Sequence, residues 1–302
     1  MMYFQPALAG LRVSTANSFA GLAAPAALAA PLPHPFAPHE GSWLVPEPPV
    51  ALGIILVTAL YLWVVGPLRR RYGWAPSVDR RQTAYFVTAM AVAFVSLQGP
   101  LHELGDYYLL SAHMVQHLLV TMVMPPLLLK GLPAWLVDKL LGLPLVYPIM
   151  RRLASPLVAL GLFTAVFVVW HAPQFYQAAL GNELVHALEH QLFMGTAIVM
   201  WWPVFSPSQR LPRLNDPASI LYLLLQSIVP TILGAIITFA GEPLYPYYGA
   251  AFRIANISAL DDQQAAGLIM WLGGAAITLL LITIRFFRWL EFDKDDGAVV
   301  VE

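Results

Sequence analysis

The feature that most restricts this chain is a series of long apolar runs. Seven stretches, about 49–66, 83–99, 107–129, 156–172, 184–205, 218–240 and 264–288, come close to or exceed the roughly 20 residues that cross a hydrocarbon core as a helix. The first, "VALGIILVTALYLWVVG", carries no charge. Prolines and glycines punctuate the junctions, as in "QGPLHELGD", "KGLPAW" and "GEPLYP". Only 11% of the residues are charged and 59% are hydrophobic, against about 25% charged in an average soluble domain. The expected fold class is an all-α integral membrane protein, a seven-transmembrane-helix bundle occupying residues 49–290.

Basic residues orient such a bundle, because Lys and Arg are retained in cytoplasmic loops. Along the chain the eight segments outside the spans hold 1, 5, 0, 4, 0, 2, 1 and 3 of them when Arg285 and Arg288, at the end of the last span, are counted with the tail, so alternate segments total 2 on one side and 14 on the other. The amino terminus is therefore expected outside and the carboxyl terminus in the cytoplasm. Trp63, Trp201, Trp202 and Trp289 are then expected near the inner interface, as an aromatic belt. Residues 1–48, rich in Ala and Pro, read as an extracytoplasmic segment that is disordered or signal-like, and 291–302 as a short cytoplasmic tail.

With no cysteine, the chain has no disulfide, no iron–sulfur cluster and no thiolate metal site. A net charge of −1 offers nothing for nucleic acid. Any bound metal must take His, Met, carboxylate or backbone oxygen.

The histidines are not scattered. His113 and His117 lie four residues apart on the third span, and His186 and His190 repeat the spacing on the fifth. Four residues on a helix are about 6 Å of rise and nearly one direction, so each pair aims two imidazoles at one small object. Both spans enter from the outer side. His171 closes the fourth span at its outer end and His102 lies in the outer loop "LHELGD". His34 and His39 fall in the amino-terminal segment, which leaves no histidine on the cytoplasmic side.

Met194 continues the stripe of His186 and His190, Met124 lies seven residues beyond His117, and Met270 sits two turns beyond Asp262 on the last span. Thioethers beside imidazoles suit copper, above all Cu(I). Glu189, Asp262, Gln263 and His102 are the polar groups available to orient the ligands. The ordinary alternative is that membrane histidines and methionines are hydrogen-bonding and packing residues. Two paired sets at one depth weigh against it, since ionisable groups in spans are costly and usually functional. Three chemistries compete: an outward-opening copper site, axial haem ligation, and a zinc-dependent membrane hydrolase. Haem is disfavoured because pairs four apart place both rings at one level.

The motifs "SAHMVQHLLVTMVMPPLLLKGLP", "WHAPQFYQAAL", "VHALEHQLF", "WWPVFSP" and "DQQAAGLIMW" resemble the seven-helix CtaG family of cytochrome c oxidase assembly factors associated with caa-type oxidases, from about Pro48 to Trp289. The resemblance implies a multi-pass bacterial plasma-membrane protein that helps mature a terminal oxidase and is not itself an enzyme. Oxidase subunits, a periplasmic copper donor and membrane lipids are its implied partners. The motif positions His113, His117, His171, His186, His190, Asp262, Gln263 and Gln264 are all present. The expectation is a copper carrier, with zinc as the alternative metal and a metal-free structural scaffold as the alternative role.

Overall fold

The computed structural model describes residues 48–254 and 256–297, with side chains described as far as 291. The expectations for the first 47 residues lie outside the described residues. Those described form helices and connections, with no strand among them. In chain order the helices are α1 (Pro48–Tyr72), α2 (Arg80–Leu97), α3 (Pro100–Tyr107), α4 (Leu110–Gly131), α5 (Ala134–Leu141) and α6 (Val146–Leu153). Then follow α7 (Pro156–His171), α8 (Pro173–Leu180), α9 (Glu183–Phe205), α10 (Asp216–Phe239), α11 (Pro246–Ala250) and α12 (Ala259–Glu291). The backbone of α12 stays helical to Gly297.

Among the described residues, four helices, α1, α4, α10 and α12, are long and apolar enough to cross a membrane. The number rises to six if the bent pairs α2–α3 and α6–α7 each make one span. The 42° bend between α2 and α3 falls at Gly99, whose φ of 70° belongs to glycine, followed by Pro100. The helix α9 has 23 residues, ample length, but His186, Glu189, His190 and Gln191 dilute its apolarity. The same residues that suggest a site thus weaken its span signal.

Burial separates an inner helix from outer ones. In α4, 56% of the apolar window is buried, against 11% in α1. The outer helices expose Leu52, Ile55 and Leu60 of α1, Ile232 and Ile236 of α10, and Leu279 and Leu280 of α12. Side chains of this kind are what lipid covers. Trp63 and Trp289 are exposed, whereas Trp201 and Trp202 are buried in the bundle and face no lipid. Their indole N–H groups donate to Thr121 O at 2.7 Å and Leu211 O at 3.3 Å, so they are structural donors rather than belt residues.

The far ends of the helices are tied by buried polar contacts. Arg285 of α12 is 4% exposed; it pairs with Asp216 of α10 at 2.7 Å and donates to Val204 O of α9 at 2.6 Å. Asp138 of α5 accepts from Ser208 Oγ at 2.5 Å and from the Gln209 amide at 3.3 Å, folding the α9–α10 connection back on α5.

One very close helix contact, backbone against backbone, involves Gly131. Its carbonyl accepts from Tyr61 OH at 2.8 Å, and Tyr61 stacks on Phe86 with ring centroids 3.7 Å apart. A Cβ on Gly131 would lie 2.5 Å from the Phe86 amide nitrogen, a backbone atom that cannot step aside. We expect Gly131→Ala to force α2 from α4 at a cost of about 1–3 kcal/mol, as for other overpacked sites. The thermal unfolding midpoint in detergent measures it, and an unchanged midpoint contradicts this packing.

Candidate metal centre

Helices α3, α4, α7 and α9 bring six histidines to one end of the bundle. Local sequence accounts for much of the placement. The Asn182 side chain caps α9, accepting from the Leu184 and Val185 amides at 3.0 and 3.2 Å. The first turns of that helix carry His186 and His190. The start of α4 has no cap of its own. Its Leu110 and Ser111 amides donate to Asp262 of α12 at 2.7 and 3.2 Å, and Ser111 Oγ adds a bond of 2.5 Å. A carboxylate at a helix start satisfies orphan donors and complements the dipole. Asp262 therefore holds the helix that carries His113 and His117, and its carboxylate is engaged there.

The rings converge. His113 and His117 have centroids 4.3 Å apart, and His186 and His190 4.5 Å apart. Between the pairs, His117 lies 5.4 Å from His190 and His113 lies 6.2 Å from both His186 and His190. His186 Nε2 and His190 Nε2 are in hydrogen-bond contact at 2.9 Å. His102 lies 5.9 Å from His186 and His171 lies 6.5 Å from His117. The Nδ1–H of His171 donates to Phe167 O at 2.7 Å, which leaves Nε2 with its lone pair.

Two carboxylates enter this cluster. Asp106 contacts Nδ1 of His102 at 3.3 Å, of His186 at 3.5 Å and of His113 at 3.7 Å. Glu189 is 1% exposed. Ligand atoms of Asp106, His113 and His186 lie within 4.8 Å of one another, as do those of His113, His117 and Glu189. The two trios share His113. Gln116 reaches His102 Nδ1 at 3.2 Å and His190 Nε2 at 3.5 Å. Beneath, Tyr176 sets its ring edge-on to His113, centroids 5.2 Å apart, and its hydroxyl meets Tyr248 OH at 2.9 Å. Tyr248 also donates to Gly105 O, and burial pushes its phenol well above the ordinary range, so it remains a neutral donor.

Many of these atoms have no hydrogen-bond partner. Both ring nitrogens of His113 and of His117, Nδ1 of His190, Asp106 Oδ1, Glu189 Oε2 and Gln116 Oε1 are buried and unpaired. Buried polar atoms are nearly always satisfied, so such a concentration makes this cluster the candidate site of the molecule. A donor set of imidazoles and carboxylates, with no thiolate, fits zinc or copper.

The sulfur side of the expected site is rearranged. Met270 lines a cavity of about 40 Å³ with His117, His171, Met114 and Met122. Met124 packs with Ala89 and Ala93 of α2, and Met194 packs against the same group; neither lines that cavity. The cause on α4 is the π turn Leu119–Val123. Its extra residue rotates everything beyond by about 100°, so the seven-residue spacing no longer keeps Met124 below His117. Gln226 Nε2 contacts Met122 Sδ at 3.8 Å instead. Gln263 also serves elsewhere, accepting from the Leu244 amide at 2.6 Å and donating to Glu242 O at 3.2 Å.

Sequence reasoning missed Asp106, Gln116, Tyr176 and Tyr248. Asp106 had a usable signal, four residues after His102 in "HELGD" and hence on the same helical face. Gln116 lies beside His117 in one quoted motif and Tyr176 lies in another, on α8 five residues after His171, whereas Tyr248 of α11 carried no signal.

The family model described as cytochrome c oxidase caa3 assembly factor (Caa3_CtaG) matches residues 59–291, most of the chain. No curated protein matches, and no solved structure matches.

The Asp262 bonds allow a direct test. Asp262→Ala leaves two helix-start amides without their acceptor, and we expect a loss of about 1–3 kcal/mol. Asp262→Asn, which keeps one acceptor oxygen, should recover part of it. Thermal unfolding of the two variants measures the order, and equal midpoints would remove Asp262 from this role.

Proposed function

The chain belongs to the cytochrome c oxidase caa3 assembly factor family, and from that premise we propose that it carries copper in the imidazole cluster and passes it to an oxidase subunit. The observation that carries this reading is the set of unpaired buried ring nitrogens on His113, His117 and His190. Hydrogen-bonding glue would consume those atoms; one ion would satisfy several at once. The metal is cargo here, held by His113, His117, His186 and His190 with Asp106 and Glu189 in contact.

The proposed topology has seven crossings: α1, α2 with α3, α4, α6 with α7, α9, α10 and α12. The amino terminus faces out and the carboxyl terminus lies in the cytoplasm of a bacterial plasma membrane, because the basic loops alternate in that sense. The imidazole end then faces outward. His186 is the half-buried member of its pair and marks the side open to a periplasmic donor. A site at that depth spares a bare ion the cost of apolar surroundings.

Copper is preferred over other ions because the thioethers of Met114, Met122 and Met270 share a cavity with His117 and His171. One observation favours a second reading. Each ligand trio includes a carboxylate, a donor set that zinc also takes, and zinc would make the protein a hydrolase of lipid amides or esters.

Protein purified from copper-replete cells is expected to retain copper, measured by elemental analysis. His117→Ala and His190→Ala should lose most of it, and Asp106→Asn should weaken retention about 10–100-fold. In cells, His113→Gln with His117→Gln should fail to restore oxidase assembly. Metal-free wild type, or full assembly with the glutamine variant, overturns the carrier reading and leaves a scaffold; bound zinc with hydrolysis of a lipid amide selects the second.

A further inference from the structure

The end of the bundle away from the imidazoles holds a second cavity of different chemistry. Lys130, Arg213, Arg285 and Arg288 line a space of about 270 Å³ together with Gln82 and Ser206. Lys130 lies far along α4 from His113, about 25 Å at the helical rise, so this cavity is separate from the metal centre.

The cations here outnumber their counterions. Arg285 is engaged by Asp216 at 2.7 Å and by Val204 O at 2.6 Å. Among the described residues, no carboxylate pairs with Lys130, Arg213 or Arg288. Lys130 Nζ instead lies 5.0 Å from the Phe205 ring centroid, and the Arg285 guanidinium lies 5.6 Å from the same centroid. Two cations thus flank one aromatic ring. Burial, followed by the nearby Arg285 and Arg288, holds the Arg213 guanidinium below its ordinary value, with Asp216 only partly offsetting them. Like charges gathered in a partly enclosed space are unfavourable unless an anion joins them.

The walls identify the kind of anion. Leu281 and Ile284 line the same cavity as the cations, and Ile284 and Phe287 of α12 stand exposed at 46% and 59%. A free phosphate requires only the charges, whereas a phospholipid uses charges and adjoining apolar wall together. Arginine forks match phosphate oxygens, and basic pockets between spanning helices suit anionic headgroups.

We propose that this cavity binds a phosphate-bearing anion in the form of an anionic phospholipid headgroup. The binding depends neither on copper nor on the direction of metal transfer. Its occupant joins α4, α12 and the α9–α10 connection at one point, across the packing already held by Arg285.

The test uses full-length protein in neutral detergent, titrated separately with phosphatidylglycerol, phosphatidylcholine and inorganic phosphate. Native mass spectrometry counts bound lipid, and the thermal midpoint provides a second reading. Phosphatidylglycerol should be retained over phosphatidylcholine by about tenfold or more, and each cation removed by Lys130→Gln or Arg288→Gln should cost about fivefold. Arg151→Gln with Arg152→Gln, outside the cavity, should leave the preference unchanged. Equal retention of the two lipids by wild type overturns the proposal. A phosphate-induced rise in midpoint with no lipid preference also overturns it, by making the site one for free phosphate. Both wild-type comparisons decide the matter even where a substitution impairs folding.

Discussion

Burying imidazoles in an apolar bundle is costly unless each ring nitrogen finds a partner, and the arrangement at one end of this protein follows from that requirement. Six histidines meet there, with Asp106 as the acidic hub contacting three of them at 3.3–3.7 Å. Asp106 lies 3.3 Å from His102 and 3.5 Å from His186 but only approaches His113, at 3.7 Å. Gln116 reaches His102 and His190, and the Phe167 carbonyl serves His171. The protein's own partners then run out. The nitrogens left over belong to His113, His117 and His190, the members that face one another across α4 and α9. Such a concentration, denser than the scattered unpaired atoms of Gln98, Trp135, Gln226, Arg253 and Thr278, differs from random loss of hydrogen bonds. It fits a place kept for a ligand.

Helix α4 is where stability and site geometry meet. Its start is held by Asp262, its middle by Trp201, whose indole donates to Thr121 O at 2.7 Å, and its end by the approach of Gly131 to Phe86. The π turn at Leu119–Val123 needs such support, because the widened turn disturbs the regular backbone ladder. Thr121 Oγ donates to His117 O at 2.6 Å, which adds a second local bond beside the turn. The pay-off is directional: the turn frees His117 and Met122 to face the same cavity while Met124 packs against α2. A regular helix would have aligned His117 with Met124.

Much of this was legible in the sequence for simple reasons. Apolar run length reports helices that touch lipid, and the four-residue spacing reports which histidines share a face; both are local properties. The convergence of α4 and α9 was anticipated because both pairs lie at the same end of their spans. What escaped depends on distant backbone. Asp262 looked like a possible ligand-orienting group, yet its acceptors go to Leu110 and Ser111, 152 and 151 residues away. The register of Met124 was lost to a π turn, which no residue in "LLVTMVM" announces. Trp201 and Trp202 looked interfacial by position along the helix, but burial depends on what packs around them. In α9 the histidines and glutamate of the candidate site, together with Gln191, also lower its apolarity, so the helix reads as a poor span.

The two ends of the bundle share an electrostatic logic with opposite sign. Around the imidazole cluster the unpaired groups are ring nitrogens and carboxylate oxygens, whereas the second cavity is lined by ammonium and guanidinium groups. Each end also holds internal counter-charge: Asp106 and Glu189 among the imidazoles at one, Asp216 against Arg285 at the other. Had folding stability alone been at stake, apolar replacements of similar volume would serve both places as well or better, since buried ion pairs rarely repay their desolvation. The imbalance at each end of α4 is what the two proposed ligands address: a cation would complete the first and an anion the second. The same helix that orients His113 and His117 ends at Lys130, so occupancy at either end bears on one continuous rod of backbone.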